Sequence, residues 1–324
     1  MEGTRTAMHT YELIGFFGFV AFATWLDLFV LNKDQHEISI KEAGIMSGAW
    51  MSLALLFSGY VYFQYGAELW MQYLTGYALE EALSIDNLFV IAVIFGSFGI
   101  RGPLQRVALS WGIIGAVTMR AVLIFLGVGL VEKFTWLLPV FGAFLLFTGI
   151  KMFRAKHDEE ENVEDSKIYK IISKIIPVYP GFDGSRIITR QNGKRMLTLL
   201  GMAIVMVEMT DLVFAVDSIP AVMGVSKDPF IILTSNIFAV LGLRALYFLL
   251  AGILHKFRYL KIGLAFVLCF IGAKMLAMPF HFHVATPISL LVVLGTIGAS
   301  IAASLLIPEK RADTKEEEKA CAVD

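Results

Sequence analysis

Apolar residues in this chain fall into long uninterrupted runs separated by short polar stretches. Nine such runs, near 11–31, 43–63, 77–100, 107–130, 136–153, 197–224, 229–252, 260–278 and 285–307, approach or exceed the roughly 20 residues that a helix needs to cross a bilayer. Within hydrocarbon every backbone donor and acceptor must be satisfied inside the protein, so runs of this length predict helices. The expected fold is all-α and polytopic, with about nine transmembrane helices. The first run lacks a basic leader and is too long for a signal-peptide core, so it is read as a span of the mature chain. A composition 57% hydrophobic, with a mean hydropathy of +0.71, agrees with that class.

Basic residues sort by side. Of 27 Lys and Arg, 20 fall on one side of a nine-span arrangement: in the loops around 33–41, 101–106, 154–196 and 256–261, and in the tail. Only Arg5, Lys133 and Lys227 fall on the other, and Arg120, Lys151, Arg244 and Lys274 lie inside spans. The positive-inside rule then puts the amino terminus outside and the carboxyl terminus in the cytoplasm. The domain plan that follows has residues 1–153 as spans one to five, with a first repeat at 77–153. Residues 154–196 form a cytoplasmic loop, 197–278 a second repeat of spans six to eight, 279–308 span nine, and 309–324 a disordered cytoplasmic tail. In the loop, SKIYKIISKII places isoleucines on one face and lysines opposite, an interfacial-helix pattern, and RIITRQNGKRML predicts a short hairpin turning at Asn192-Gly193. This loop reads either as a solvated connector docked on the bundle or as a regulatory segment where soluble resistance proteins would bind.

A net charge of −1, with basic residues that follow topology, gives no nucleic-acid groove. Cys269 and Cys321 suggest neither a disulfide framework nor a zinc cluster. There is no phosphate-binding GxxxxGK[ST] loop, no paired nucleophile and base, and no cofactor motif, so neither an ATP-driven pump nor an enzyme is expected.

Self-similarity organises the middle of the chain. GLVEKFTWL at 129–137 returns as GILHKFRYL at 252–260, an offset of 123 residues, and GIKM around Lys151 parallels GAKM around Lys274. Arg120 and Arg244 occupy matching places. The unit has three helices; because three is odd, the copies should enter the membrane from opposite sides, as inverted repeats built from spans 3–5 and 6–8. Each copy opens with acids: YALEEALSIDN contains Glu80, Asp86 and Asn87, and EMTDLVFAVDSIPAV contains Glu208, Asp211, Asp217, Ser218 and Pro220. Glu80 can be aligned with Asp211 and Asp86 with Asp217, or Asp86 with Asp211; both alignments stand at this level.

A carboxylate at the centre of an isolated span costs about 2.5–3.5 kcal/mol, so these acids should face protein, water or cations. Six residues along a regular helix turn through about 600°, so Asp211 and Asp217 would share a face only if the helix bends, and otherwise serve different neighbours. Pro220 removes a donor and frees the carbonyl near Val216, a place to bend and a hard ligand. Glu208 and Asp211, three residues apart, face the same way. Glu80, Asp86, Asn87, Glu208, Asp211, Asp217 and Ser218 are therefore the candidate metal ligands, an oxygen-rich set suited to Mn²⁺, Mg²⁺ or Ca²⁺. Arg120, Arg244, Pro220 and Asn236 are given structural or gating roles, and Met206, Met209 and Met223 are read as packing.

The stretches LTGYALEEALSIDN at 74–87, FGAFLLFTGIKM at 141–152 and VEMTDLVFAVDSIPAV at 207–222 resemble the TerC family of integral membrane proteins, in particular its Alx-like branch within the LysE transporter superfamily. The resemblance implies a bacterial inner-membrane protein, linked to tellurium resistance through the family name and to Mn²⁺ efflux in Alx-like members. It places Glu80, Asp86, Glu208, Asp211 and Asp217 on acidic motif positions. The expected function is a secondary exporter of a divalent cation, most plausibly Mn²⁺, with no bound cofactor and possible proton coupling. A non-transporting membrane scaffold for soluble resistance proteins, or an exporter of another ion such as Ca²⁺, is the alternative.

Overall fold

The structure is a computed structural model that describes residues 2–26, 39–134, 136–154, 167–191, 193–250, 259–280 and 284–306. Among these, helices account for almost all of the chain: α1 (Glu2–Leu26), α2 (Ile40–Tyr65), α3 (Ala67–Ser97), α4 (Pro103–Lys133), α5 (Leu137–Arg154), α6 (Lys167–Ile175), α7 (Leu199–Val225), α8 (Pro229–Leu250), α9 (Leu260–Ala277) and α10 (Thr286–Leu306). A two-stranded antiparallel ribbon, β1 (Ile188–Gln191) and β2 (Lys194–Leu197), pairs Gln191 with Lys194, and Gly193 has φ 78° at its turn. The predicted tail at 309–324 and Asn192 of the turn lie outside the described residues.

Six helices, α2, α4, α7, α8, α9 and α10, are long and apolar enough to cross a membrane. The nine apolar runs each hold a long helix, but α3 misses that criterion although it is 31 residues long, and α1 and α5 contribute shorter apolar segments, Tyr11–Leu26 and Leu137–Phe153. The shortfall in α3 comes from Glu80, Glu81 and Asp86 inside its apolar run.

Element ends follow local chemistry. Ser39 and Glu42 close a capping box at the start of α2. Gly66, at φ 87°, takes the left-handed conformation that separates α2 from α3. The Thr198 hydroxyl accepts from the Gly201 amide at 3.1 Å and caps α7, while Asp228 accepts from Phe230 and Ile231 and caps α8. α7 is one continuous helix with Pro220 inside it.

The bundle is centred on α8, whose residues from Phe230 to Tyr247 are all buried. Around it α3 and α4 pack on α7 and α8, and α5 lies along α9. That last contact is backbone to backbone. A Cβ placed on Gly142 would stand 2.9 Å from the Gly272 carbonyl oxygen, and one on Gly149 would stand 2.8 Å from the Ala265 oxygen. The Cys269 Sγ lies between them, 3.9 Å from the Leu146 oxygen. Partner numbers fall as chain numbers rise, so α5 and α9 are antiparallel.

Two apolar clusters fill the interior, and the boundary between them is informative. One takes Leu79 of α3, Ala121 and Ile124 of α4 and Ala215 to Val225 of α7. The other takes Leu88 of α3, Ala108 and Ala116 of α4 and Leu200 to Val207 of α7. On α3 and α7 the change-over falls at the residues that carry Glu80, Asn87 and Asp211; on α4 the clusters overlap between Ile113 and Ala116, just before Arg120. A polar layer therefore crosses the middle of the bundle.

Candidate functional site

Arg120 of α4 is the centre of that layer, with 1% of its surface exposed. A guanidinium stays charged and presents its donors in a fixed planar fork, so its burial requires acceptors from several directions. Asp211 of α7 supplies two, taking Nη2 on Oδ1 at 2.8 Å and Nε on Oδ2 at 3.1 Å. Glu80 of α3 takes Nη1 on Oε2 at 2.7 Å, and the same nitrogen donates to Asn236 Oδ1 of α8 at 3.2 Å. Asn87, two turns beyond Glu80, donates from Nδ2 to Asp211 Oδ1 at 3.2 Å. Four helices are thus tied at one point by two carboxylates, two amides and one cation.

The layer is rich in oxygen that nothing else uses. Glu80 Oε1 and Asn87 Oδ1 are buried without a hydrogen-bond partner. So is Glu208 Oε1, one turn before Asp211 on α7. The Glu208 carboxylate fills the notch that Gly115 leaves on α4, and a Cβ there would collide with it. Glu208, Asp211 and Asn87 line one cavity of about 30 Å³, together with Arg244, Thr210 and Gly112. Since a space of some 10–15 Å³ by this measure holds a water molecule, the cavity has room for about two waters, or for one ion stripped of most of its shell.

Of the residues singled out from sequence, the structure therefore brings Glu80, Asn87, Arg120, Glu208, Asp211 and Asn236 into one neighbourhood, with Arg244 on the cavity wall. Asp86 lies on α3, but its side chain falls outside the described residues. Asp217 does not join them. It is half-buried on another face of α7, within hydrogen-bonding reach of Thr148 and beside Lys151 of α5, because six helical residues carry it away from Asp211. Ser218 is buried with an unpartnered hydroxyl and lines no described cavity, and Pro220 is packed in the body of α7. Among the described side chains no three His, Cys, Asp or Glu groups converge tightly enough to hold a metal as they stand. Two of the carboxylates expected as ligands, Glu80 and Asp211, are engaged by Arg120. Met206 and Met223 are core residues, and Met209 is partly exposed.

Two half-buried acids carried weak sequence signals. Glu81, beside Glu80, accepts from Tyr77 at 2.7 Å on the side of α3 that meets Gly242 of α8. Glu12 of α1 accepts from Tyr60 and Tyr65 of α2. The i,i+4 spacing of Tyr77 and Glu81 was available in the sequence; the tie between α1 and α2, spanning 48 and 53 residues, was not.

A second cavity, about 870 Å³, opens where α7 ends and α8 begins, lined among others by Glu68, Ser226, Lys227, Asp228 and Lys274. There the Lys274 ammonium donates to Ser289 Oγ of α10 at 3.1 Å, so this side chain is anchored across helices. At the opposite end of the bundle, α6 buries Ile172 against α3 and α7, and leaves Ile171 and Ile175 exposed.

Comparison with known proteins places this architecture. The model of the integral membrane protein TerC family matches residues 65–312. An uncharacterized membrane protein of Myxococcus xanthus is 45% identical over 292 residues, covering 90% of this chain and 91% of that one. The Escherichia coli K12 protein called membrane-bound redox modulator Alx is 40% identical over 292 residues, covering 87% and 90%. A Rickettsia felis membrane protein is 41% identical over 293 residues, covering 90% and 96%. No solved structure matches the chain.

Proposed function

We propose that this chain, which belongs to the TerC family of integral membrane proteins, is a secondary exporter of a divalent cation, with Mn²⁺ as the leading candidate. The observation that carries the reading is the polar layer. Two carboxylates, with a third one turn away, surround a single guanidinium at the depth where two apolar clusters meet, and three of their neighbouring oxygens have no partner. Unsatisfied acceptors at that depth cost about 1–3 kcal/mol each, a cost that a purely structural core would avoid with apolar side chains. Hard oxygen ligands of this kind suit Mn²⁺, Mg²⁺ or Ca²⁺; affinity order does not select among them, and Mn²⁺ leads on the resemblance to Alx-like members.

The reading extends to nine crossings and inverted repeats. It is supported by the contact between α5 and α9. Gly142 meets Gly272 and Gly149 meets Ala265. Shifting each number by the 123-residue offset of the repeat turns one pair into the other, while Leu146 and Cys269 exchange with themselves. Such an exchange, between antiparallel helices, is what a two-fold axis in the membrane plane would produce. With the amino terminus outside a bacterial inner membrane, the 870 Å³ cavity opens outward and the ribbon faces the cytoplasm. Export would carry the ion from the Glu208 cavity to that vestibule, and titration of an acid would couple it to the proton gradient. Loss of a redox-active metal from the cytoplasm would also bear on redox state, in keeping with the name of the Alx relatives. A role for 154–196 in recruiting soluble partners, and tellurium resistance, are secondary.

The test is flux of Mn²⁺ into liposomes containing the purified chain, alongside Glu80→Gln and Asp211→Asn. Flux above empty liposomes that both substitutions abolish is expected; absence of flux, or flux indifferent to both, removes the proposal.

A further inference from the structure

The acids expected to hold the cation are already held, by a cation that belongs to the protein. We infer that Arg120 is a built-in competitor for the transported ion: its guanidinium occupies the Glu80–Asp211 pair, and the ion binds by displacing it. The inference rests on the transporter reading above and specifies how its site is regulated.

Three observations lead there. Arg120 donates through Nε, Nη1 and Nη2 to acceptors on α3, α7 and α8, so it neutralises the carboxylates and ties those helices to its own. It cannot lose its charge by deprotonation, so a divalent ion entering between Glu80 and Asp211 meets a fixed like charge and one of the two must withdraw. Finally, the guanidinium leaves Glu80 Oε1, Asn87 Oδ1 and Glu208 Oε1 unserved. A planar fork satisfies the oxygens in its own plane, whereas a spherical cation gathers ligands from all sides and could recruit these three as well.

Displacement has a mechanical consequence. When the guanidinium leaves, four hydrogen bonds binding α4 to α3, α7 and α8 are lost together, so ion occupancy loosens the same contacts that close the bundle at mid-depth. With no ion present, Arg120 restores both the charge balance and the closure, which prevents the carrier from resting with bare carboxylates in the membrane interior.

Competition is reciprocal in free energy, so removing the competitor must tighten ion binding. The test is equilibrium Mn²⁺ binding to the purified full chain in lipid nanodiscs, read as free Mn²⁺ by electron paramagnetic resonance. Arg120→Gln should bind Mn²⁺ about 5- to 150-fold more tightly than the wild type. Arg120→Lys retains a buried positive charge and is the variant to use if Gln does not fold. A single ammonium does not reproduce the fork across both carboxylates, so it should also bind more tightly than wild type, by less. Glu80→Gln and Asp211→Asn, measured in parallel, should weaken binding. If these two weaken binding while the Arg120 variants equal or fall below wild type, the competition is overturned and the carboxylate site stands. If the acid variants bind like wild type, the carboxylate site falls and the competition with it.

Discussion

Asp211 and Asp217 lie six residues apart on one apolar helix and look equivalent in sequence, yet the structure gives them very different consequences. Replacing Asp211 by Asn removes the bidentate partner of a fully buried guanidinium, leaving Arg120 with Glu80 at 2.7 Å and Asn236 at 3.2 Å. The amide also turns a donor toward either the Arg120 Nε–H or the Asn87 Nδ2, where only an acceptor fits. Breaking a buried ion pair from one side costs about 3–5 kcal/mol, and because Glu80 still neutralises Arg120 the expected loss lies at the lower end of that range. Replacing Asp217 by Asn removes only a half-exposed charge facing Thr148 and Lys151, and the amide oxygen can still accept from the threonine. That change should cost no more than about 1 kcal/mol. Equilibrium unfolding in mixed micelles of increasing denaturing detergent would resolve a gap of roughly 2 kcal/mol. In liposomes, Mn²⁺ flux should be lost with Asp211→Asn and retained with Asp217→Asn. Equal destabilisation by the two, or the larger loss at Asp217, would refute the placement of these side chains.

Other substitutions probe the remaining contacts. Gly272→Ala forces a methyl to within 2.6 Å of the Gly142 oxygen, where neither backbone can yield, and should cost at least the 1–3 kcal/mol typical of overpacking; Gly59→Ala, with nothing within 4 Å, should be close to neutral in the same unfolding assay. Gly115→Ala pushes a methyl into the Glu208 carboxylate, a flexible group, so Mn²⁺ flux should fall while the unfolding midpoint moves less than for Gly272→Ala. Tyr77→Phe strips Glu81 of its donor and should destabilise by about 1–3 kcal/mol, and adding Glu81→Leu should recover part of the loss in a double-mutant cycle. In a cysteine-free background, Ser185→Cys should react with an impermeant maleimide only from the cytoplasmic face and Lys227→Cys only from outside; the reverse pattern would invert the topology.

Much of this was legible because hydropathy and charge act locally. The positions of the long helices follow from run length alone, and the shared neighbourhood of Glu208 and Asp211 follows from a three-residue spacing. The pairing of Arg120 with Glu80 and Asp211 spans 40 and 91 residues, and no local pattern specifies it. Sequence offered two ways to reconcile Asp211 with Asp217, a bend at Pro220 or different neighbours. Asp211 on Arg120 and Asp217 beside Thr148 and Lys151 select the second. A helix can absorb a proline where adjacent helices and hydroxyl side chains take over the freed groups. Of the acids that keep α3 from counting as a plain apolar span, Glu80 is the one seen in the central layer, bound to Arg120.

The polar residues of the innermost helices divide by whether they can satisfy themselves. On α8, Thr234 donates to the Phe230 carbonyl at 2.7 Å and Ser235 to that of Ile232 at 3.2 Å; on α7, Thr210 donates to that of Met206 at 2.8 Å. Each of these hydroxyl donors closes onto its own helix, so its burial demands nothing of the rest of the fold. An amide, a carboxylate or a guanidinium has too many polar atoms for that solution. Asn236 is adjacent to Ser235, and its side chain reaches across to Arg120 instead. The groups that cannot close locally, Glu80, Asn87, Arg120, Asp211 and Asn236, are the ones that meet, while the hydroxyls scatter. Burial of a polar residue in this bundle is thus weak evidence for function by itself. Dependence on another helix for a partner is a much stronger sign, and by that measure the layer around Arg120 stands out.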